Sequence, residues 1–465
     1  MGDGERSAQA AAVDISVGRL SPDEYSRNFG DAHPRLTPHQ ALVESDRCYF
    51  CHDAPCVHAC PTGIDIPSFI RKIASGNIKG SAHDILGENI MGAVCARVCP
   101  TEVLCEGRCV RNLQEHKPVA IGALQRYATD WLFERDIQLF ARGPGSGRRV
   151  AVVGGGPAGL SCAHRLAVLG HAVTVFEARG KLGGLNEYGV AAYKVAGEVA
   201  QREVRYLLEV GGIDVKLGQR LGHELSLTRL RAEFDAVFLG TGLGAVNDLG
   251  IDTPRMSGVQ DAIDYIATLR QTRDLGSLPV GRRVVVIGGG MTAIDIATQT
   301  KRLGAEDVTM VYRRGPEHMG ASAKEQAWAQ TNGVRIKHWA RPVRLLARDN
   351  ALASVELEYT RLDDQGRLIG TGERFTLAAD MLFKAIGQVL VRSAFEDALE
   401  LLDTGTGRIA VDAERRTSLA GVWAGGDCVA GGKDLTVVAV EDGKVAAHSI
   451  DRFLRIAQAV GAQHG

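Results

Sequence analysis

The sequence predicts an α/β protein in which an all-helical N-terminal domain precedes two Rossmann-like nucleotide-binding domains, one inserted into the other. Three observations predict it. Apolar residues recur at helical spacing in "IPSFIRKIASGNIKGSAHDIL" and "IGALQRYATDWLFERD", within a first stretch interrupted by Pro and Gly. A strand, glycine turn, helix and second strand then begin near Arg149, and the same pattern returns about 130 residues later. Near the end, "GVWAGGDCVAGGKDLTVVAVEDGKVAAHSI" reads as a strand, a Gly-Asp turn and a helix. That segment completes the first pattern around the second.

The helical domain is placed at residues 1–140 and ends in "ARGPGSGRR", residues 141–149, a Gly/Pro/Ser-rich linker and the clearest boundary in the chain. Residues 148–250 plus 380–465 make the first nucleotide domain, with the second inserted at 251–379. The chain has 465 residues, 45% of them hydrophobic, which suits about three domains. A formal net charge of -1 leaves no basic excess to neutralise phosphates, so nucleic acid is not an expected partner. No apolar run is long enough to span a bilayer, and the opening "MGDGERSAQAAAVDISVG" carries acids and no apolar signal core. The expectation is a soluble cytoplasmic protein.

In the first nucleotide domain Gly154-x-Gly156-x-x-Gly159 joins strand 150–153 to helix 157–169. Such glycines permit a tight turn, close approach of backbone to a pyrophosphate, and close helix–sheet packing. The helix start offers free N–H groups and partial positive charge. Glu177 ends the next strand, where a carboxylate would accept from ribose hydroxyls. In the second domain the pattern is Gly288-x-Gly290-x-x-Ala293, and its strand leads into Arg313-Arg314 where the first leads into Glu177. Arginines in place of the acid favour a 2′-phosphate, and so NADPH, although either one could instead stack on adenine or be solvated.

Eight of the ten cysteines fall between Cys48 and Cys109. Cys48-x2-Cys51-x4-Cys56-x3-Cys60-Pro61 is close to a bacterial ferredoxin run, and Cys95-x3-Cys99-Pro100-x4-Cys105-x3-Cys109 follows it. In a reducing compartment such clustering favours metal over disulfides. In ferredoxin runs the fourth cysteine ligates the other cluster, which would give Cys48, Cys51 and Cys56 to one cluster and Cys60 to a second. Two structural zinc sites compete with that assignment, because thiolates suit zinc as well. Cys162 and Cys428 stand alone and are expected as buried packing residues.

Resemblance to known families sharpens these expectations. Gly426 and Asp427 in "GGDCVAGG", paired with the first glycine turn, resemble the two-part FAD signature of flavoprotein disulfide-reductase-like folds. There the acid bonds the ribityl chain, and the helix starting at Thr436 faces the flavin. "AVFLGTG", residues 236–242, resembles that family's crossing strand. The run "CYFCHDAPCVHACPTGIDIPSFIRKIASGN", with "GAVCARVCPTEVLCEGRCVRN" and "IGALQRYATD", is similar to the N-terminal module shared by the glutamate synthase small subunit and dihydropyrimidine dehydrogenase. "GGLNEYGVAAYK", which contains Gly184, and "MVYRRGPEHM" match best the small subunit of bacterial dihydropyrimidine dehydrogenase.

That resemblance implies FAD and two [4Fe–4S] clusters, one on Cys48, Cys51, Cys56 and Cys109, the other on Cys60, Cys99, Cys105 and the Gln125 side chain. Gln125 by itself reads as a surface helix residue, and Cys95 becomes a spare. It further implies an electron-input subunit passing hydride from nicotinamide to flavin N5 with no side-chain acid or base. The implied partner is a dihydroorotate-dehydrogenase-like chain carrying FMN and [4Fe–4S] clusters, in a heterotetramer that reduces uracil or thymine. The alternative is the NADPH-dependent glutamate synthase small subunit. NADPH-using relatives carry a further basic residue near Gly320, so the resemblance favours NADH against the arginine pair. A thioredoxin-reductase-like dithiol chemistry is disfavoured because neither nucleotide domain contains Cys-x-x-Cys.

Overall fold

The computed structural model describes residues 14–252, 256–401 and 405–462. The charge reading of the first thirteen residues lies outside them. The chain forms two compact units: residues up to Gly30 with Val246–Gly387, and Asp31–Ala245 with the chain from Gln388 on. Two features of this division add to or differ from the sequence expectation.

The first is at the linker, whose two sides pack together. Residues 31–140 and the first nucleotide fold share one unit and one hydrophobic core, in which Phe69, Ile70, Leu124 and Phe133 pack with Val150, Leu160 and Phe238. The helical part is built from Pro38–Asp46, Pro55–His58, Ile66–Ala74, Ile78–Glu88, Gly92–Val98, Arg111–Glu115 and Ile121–Phe133. Helix Ile66–Ala74 shows why the pattern folds as it does. Asp65 accepts from Ser68 N at its start, and Ile66, Phe69, Ile70 and Ile73 bury one face. Gly76, at φ +79, ends that stretch. Gly and Pro in residues 141–149 mark a surface crossing between parts that are already packed together.

Beyond the crossing lies a five-stranded parallel sheet, ordered Val422–Ala424, Ala236–Leu239, Arg149–Val153, Ala172–Glu177, Ile213–Leu217. Residues 236–239, expected as a crossing strand, are an interior strand of this sheet. Val150 and Val152 face one core while Ala151 and Val153 face another, the alternation of a sheet covered on both sides. Helix Thr436–Ala462 packs against helix Pro157–Val168 so closely that a Cβ on Gly443 would lie 2.1 Å from Ala158 O.

His164 sits inside this packing, 4% exposed, with its ring edge-on to Phe140 at 5.1 Å. Burial pushes its imidazole down to about 3. The unfolded chain takes up a proton near pH 6.5 that the folded chain refuses, so stability is lost as pH falls from about 6.5 toward 3. The full difference corresponds to about 5 kcal/mol. His164→Leu should flatten the acid limb of a thermal-melt series, and an unchanged limb would refute this.

The second difference is at the N-terminus. Sequence reasoning ran the helical domain from residue 1, but Ile15–Ser16 is a strand pairing antiparallel with Val280–Gly281, and helix Pro22–Asn28 stays in that unit. Asn28 Nδ2 donates to Arg302 O at 2.9 Å and Arg302 Nη1 to Asn28 O at 2.6 Å. The cause is edge pairing and end-to-end hydrogen bonding, which a helical periodicity does not report. The unit's main sheet is parallel, ordered Val334–Lys337, Asp307–Val311, Arg283–Ile287, Met381–Lys384, Val259–Asp261. A three-stranded antiparallel sheet, Ala340–Arg348, Ala351–Leu362 and Leu368–Ala378, adjoins it. Among the described residues no helix is long and apolar enough to cross a membrane.

Candidate functional site

The first glycine turn is closed by contacts that leave no room for a side chain. Gly154 has φ +103, and a Cβ there would lie 2.2 Å from Gly240 O; one on Gly159 would lie 1.9 Å from Gly154 O. Gly183 N donates to Gly155 O at 2.7 Å, and a Cβ on Gly184 would meet Gly156 Cα at 2.7 Å, so two glycine turns lie against each other at the helix start. Glu177 is doubly held, accepting from Gly155 N at 2.8 Å and Arg179 N at 2.7 Å. It thus shapes the turn as well as standing where a ribose would pass.

Gly426, at φ +80, packs over Ala158 and donates its N–H to Asp442 at 2.8 Å. Asp427 beside it is pushed up to about 6 by burial, with Asp434 adding to the rise and Arg408 opposing it. Thr436 Oγ1 donates to Asn186 Oδ1 at 2.9 Å, tying the start of the last helix to the segment after Gly184. The expected FAD residues Gly154, Gly156, Gly159, Glu177, Gly184, Gly426, Asp427 and Thr436 therefore all border one turn-lined region. Their close backbone approaches fit a dinucleotide pyrophosphate lying at a helix start.

In the other unit Gly288 has φ +150, and a Cβ there would lie 2.1 Å from Ala385 O. Ala293, buried at the third position, carries a Cβ where Gly159 of the first turn has no room for one. Gly290 caps helix Met291–Arg302, and a Cβ there would meet nothing within 4 Å. Gly290→Ala should therefore keep its fold and flavin content while raising the KM for pyridine nucleotide, because the added methyl enters the space before the helix N-terminus. Steady-state kinetics beside a flavin spectrum checks this; an unchanged KM counts against it.

The register corrects one placement. Val153 pairs with Phe176, and Ile287 with Val311, so the residue matching Glu177 is Tyr312, with Arg313 and Arg314 one and two places later. A Cβ on Gly289 would lie 2.5 Å from the Tyr312 ring, as one on Gly155 would lie 3.1 Å from the Glu177 carboxylate. Tyr312 OH donates to His318 O at 2.6 Å. Arg313 is exposed, while the Arg314 Nε is buried without a hydrogen-bond partner. Aligning the two copies strand end to strand end, position by position, would have found Tyr312.

Cys48, Cys51, Cys56 and Cys109 line a single pocket, together with Tyr49, Arg108 and Arg111. Burial, with Cys48 and Cys109 as neighbours, pushes the Cys56 thiol up to about 12. Burial and the neighbouring thiols also raise Cys48, and four soft donors crowded at partial burial form a set whose thiolates need a cationic centre. Among the described residues no three His, Cys, Asp or Glu side chains are set around a single ion. The four thiols instead line the walls of one pocket.

Cys60, Cys99, Cys105 and Cys95 form the other group. Burial raises Cys105, with Cys60 contributing; contact with Cys95, ahead of burial, raises Cys99. Cys60 Sγ lies 3.4 Å from Thr62 Oγ1, and Lys444 Nζ donates to Thr62 O at 2.8 Å. Gln125 is buried, not on the surface, and its Nε2 donates to Gly92 O at 2.7 Å. That commits the nitrogen and leaves the amide oxygen as the end able to act as a ligand. Cys95, Cys162 and Cys428 are buried, the last two at 0% exposure. Sequence reasoning missed Thr62, Lys444 and Glu203; the last accepts from Ala93 N across the core.

The family model "Pyridine nucleotide-disulphide oxidoreductase" matches residues 148–443. The chain belongs to this family. A second model, "Dihydropyrimidine dehydrogenase domain II, 4Fe-4S cluster", matches residues 25–137 of this oxidoreductase. It is 35% identical to the NAD-dependent dihydropyrimidine dehydrogenase subunit PreT homolog of Salmonella typhi over 90% of this chain and 96% of that one. It is 34% identical to the glutamate synthase [NADPH] small chain of Escherichia coli (strain K12) over 92% and 94%. Among solved structures, Mycobacterium tuberculosis FprA in complex with NADPH superposes with a TM-score of 0.57 at 18% identity, over 69% of this chain and 86% of that one. Lactococcus lactis thioredoxin reductase gives 0.52 at 22%, over 66% and 99%. Those two show the shared fold. The oxidoreductase is a flavin- and iron–sulfur-dependent NAD(P)H enzyme.

Proposed function

We propose that this chain is the electron-input subunit of a dihydropyrimidine-dehydrogenase-type enzyme, oxidising NADH and delivering electrons to a separate catalytic subunit. The observation that carries the proposal is the single compact unit holding both the thiol-bearing helices and the flavin fold. Relatives named as dihydropyrimidine dehydrogenase subunits, covered over 96% of their length, support it. Gln125 supports the pyrimidine reading further, since glutamate is expected there in glutamate synthase chains.

When bound, FAD would supply hydride acceptance and single-electron release, and two [4Fe–4S] clusters one-electron conduction. The residues that would hold FAD are Gly154, Gly156, Gly159, Glu177, Gly184, Gly426, Asp427 and Thr436. Those for pyridine nucleotide are Gly288, Gly290, Ala293, Arg313 and Arg314. Cys48, Cys51, Cys56 and Cys109 would hold one cluster; Cys60, Cys99, Cys105 and Gln125 the other. Arg108 and Arg111 at the first pocket bring positive charge to a site of thiolates. Asp427 offers a carboxyl poised to donate or accept near neutral pH. The partner is an FMN- and [4Fe–4S]-containing chain that reduces the pyrimidine 5,6 double bond, and the pair forms a heterotetramer in the cytoplasm.

Anaerobic purification with iron, sulfide and flavin quantified, followed by parallel NADH and NADPH titration, tests the reading. The expected result is one flavin, two clusters, a preference for NADH, and no dihydrouracil formed by the chain alone. Dihydrouracil formation without a partner would refute the division of labour. Co-purification of a glutaminase-bearing chain would replace this reading with the glutamate synthase one.

A further inference from the structure

Helix Val199–Leu208 turns a glutamate into the core. Glu203 is 1% exposed, and its Oε1 accepts from Ala93 N at 2.8 Å and from Val94 N at 3.3 Å. Both belong to the open first turn of helix Gly92–Val98, whose own N-cap residue Met91 provides no side-chain bond. The cap is therefore supplied from more than a hundred residues away in sequence.

The carbonyls of that same turn are also engaged. Gly92 O accepts from Gln125 Nε2 at 2.7 Å, and Ala93 O accepts from Arg97 Nη1 at 2.8 Å. Arg97 Nη2 in turn forks onto Asp130 at 2.7 and 2.9 Å, on the helix that carries Gln125. At its other end the Gly92–Val98 helix runs into Cys99. One turn of helix thus receives Glu203 on its N–H side and presents Gln125 with an anchor on its C=O side. Helix Val199–Leu208 is itself tied to the flavin turn, because Gln201 Nε2 donates to Leu182 O at 2.8 Å, beside Gly183-Gly184.

We propose that Glu203 is a positioning residue for the second ligand set: by holding the first turn of helix Gly92–Val98 it fixes the Gln125 amide and the Cys99 thiol relative to one another. This rests on the assignment of Cys60, Cys99, Cys105 and Gln125 to one cluster. The role requires an acceptor oxygen at that place and does not require a charge. Burial, with Asp130 adding, pushes the Glu203 carboxyl up to about 8 against the two N–H groups and Arg97, so the site tolerates a neutral acceptor.

The test uses the full chain purified anaerobically, with iron and flavin content measured and each cluster's midpoint potential followed by electron paramagnetic resonance. Glu203→Gln keeps an oxygen and should preserve both signals and both potentials. Glu203→Leu leaves two N–H groups without an acceptor and should shift or abolish the second cluster's signal, with loss of up to half the iron. Its first cluster and flavin should stay as in wild type. If Glu203→Leu does not accumulate, Glu203→Asp, whose oxygen falls one methylene short, takes its place with the same expectation. The proposal is overturned if Glu203→Leu leaves the second signal unchanged, if it lowers flavin and both clusters together, or if Glu203→Gln behaves like Glu203→Leu. A wild-type chain lacking a second cluster signal would overturn the ligand-set assignment, and this role with it, before any variant is compared.

Discussion

Replacement of Gly154 by alanine is expected to weaken FAD binding by about 100-fold, giving a protein that purifies with little bound flavin. Two costs act at one atom. At φ +103 an L-residue is strained, and the new Cβ would sit 2.2 Å from Gly240 O, a backbone atom of the neighbouring strand that cannot rotate away. The turn must open, and opening it breaks the Gly155 N to Glu177 bond that sets the start of helix Pro157–Val168. A displaced helix start aims fewer N–H groups at the pyrophosphate. Strain of about 3 kcal/mol, released only when the turn adopts a geometry that excludes the cofactor, corresponds to the stated factor. Flavin content after dialysis and a dissociation constant by fluorescence quenching measure it. Full flavin occupancy at wild-type affinity would show that the turn is not where the dinucleotide sits. Gly290→Ala is the internal control, because its Cβ meets open space and its flavin fold is untouched.

The glycine turns were legible because the whole signal is local. Strand, turn and helix are contiguous, and the positive φ at Gly154 and Gly288 follows from the same few residues that form the motif. Matching Arg313-Arg314 to Glu177 runs one position late because it follows charge, whereas the backbone register counts residues from the strand end and puts Tyr312 there. The linker does separate the two family matches, residues 25–137 and 148–443, but it says nothing of packing. Gly, Pro and Ser in residues 141–149 report a segment without regular structure and carry no information on whether the flanking parts share a core. What joins those parts are tertiary bonds, Glu203 to Ala93 and Lys444 to Thr62, in which Glu203 and Lys444 look in sequence like ordinary surface positions of their helices. Gln125 belongs with them. On a helix buried at Leu124, Ala128 and Leu132, a glutamine beside the stripe reads as its solvent edge. Only the packing of Gly92 against it buries the amide and directs its nitrogen.

Cys60→Ser is expected to remove one cluster and keep the other, with flavin at wild-type occupancy. A serine hydroxyl is a hard donor that ionises far less readily than a thiol, and iron–sulfur clusters favour thiolates. Cys60 stands apart from the pocket lined by Cys48, Cys51, Cys56 and Cys109, so that set keeps all its donors. The loop after Cys60 is held by Lys444 on Thr62 O, which maintains the backbone when the sulfur is exchanged. Iron and sulfide should fall to half, and the reduced protein should keep one resonance signal of two. NADH should still bleach the flavin, and a dye that takes electrons directly from flavin should still turn over. Delivery to the catalytic partner should be abolished, because one conductor in the series is gone. Cys48→Ser should give the complementary outcome, losing the other signal with the same halving of iron. Cys95→Ser separates this assignment from a simple division of eight thiols between two clusters: here it should leave both signals, and there it would cost one. If Cys60→Ser retains both clusters while Cys95→Ser loses one, the fourth sulfur of the first run is not a ligand, and the second set must be rebuilt around Cys95.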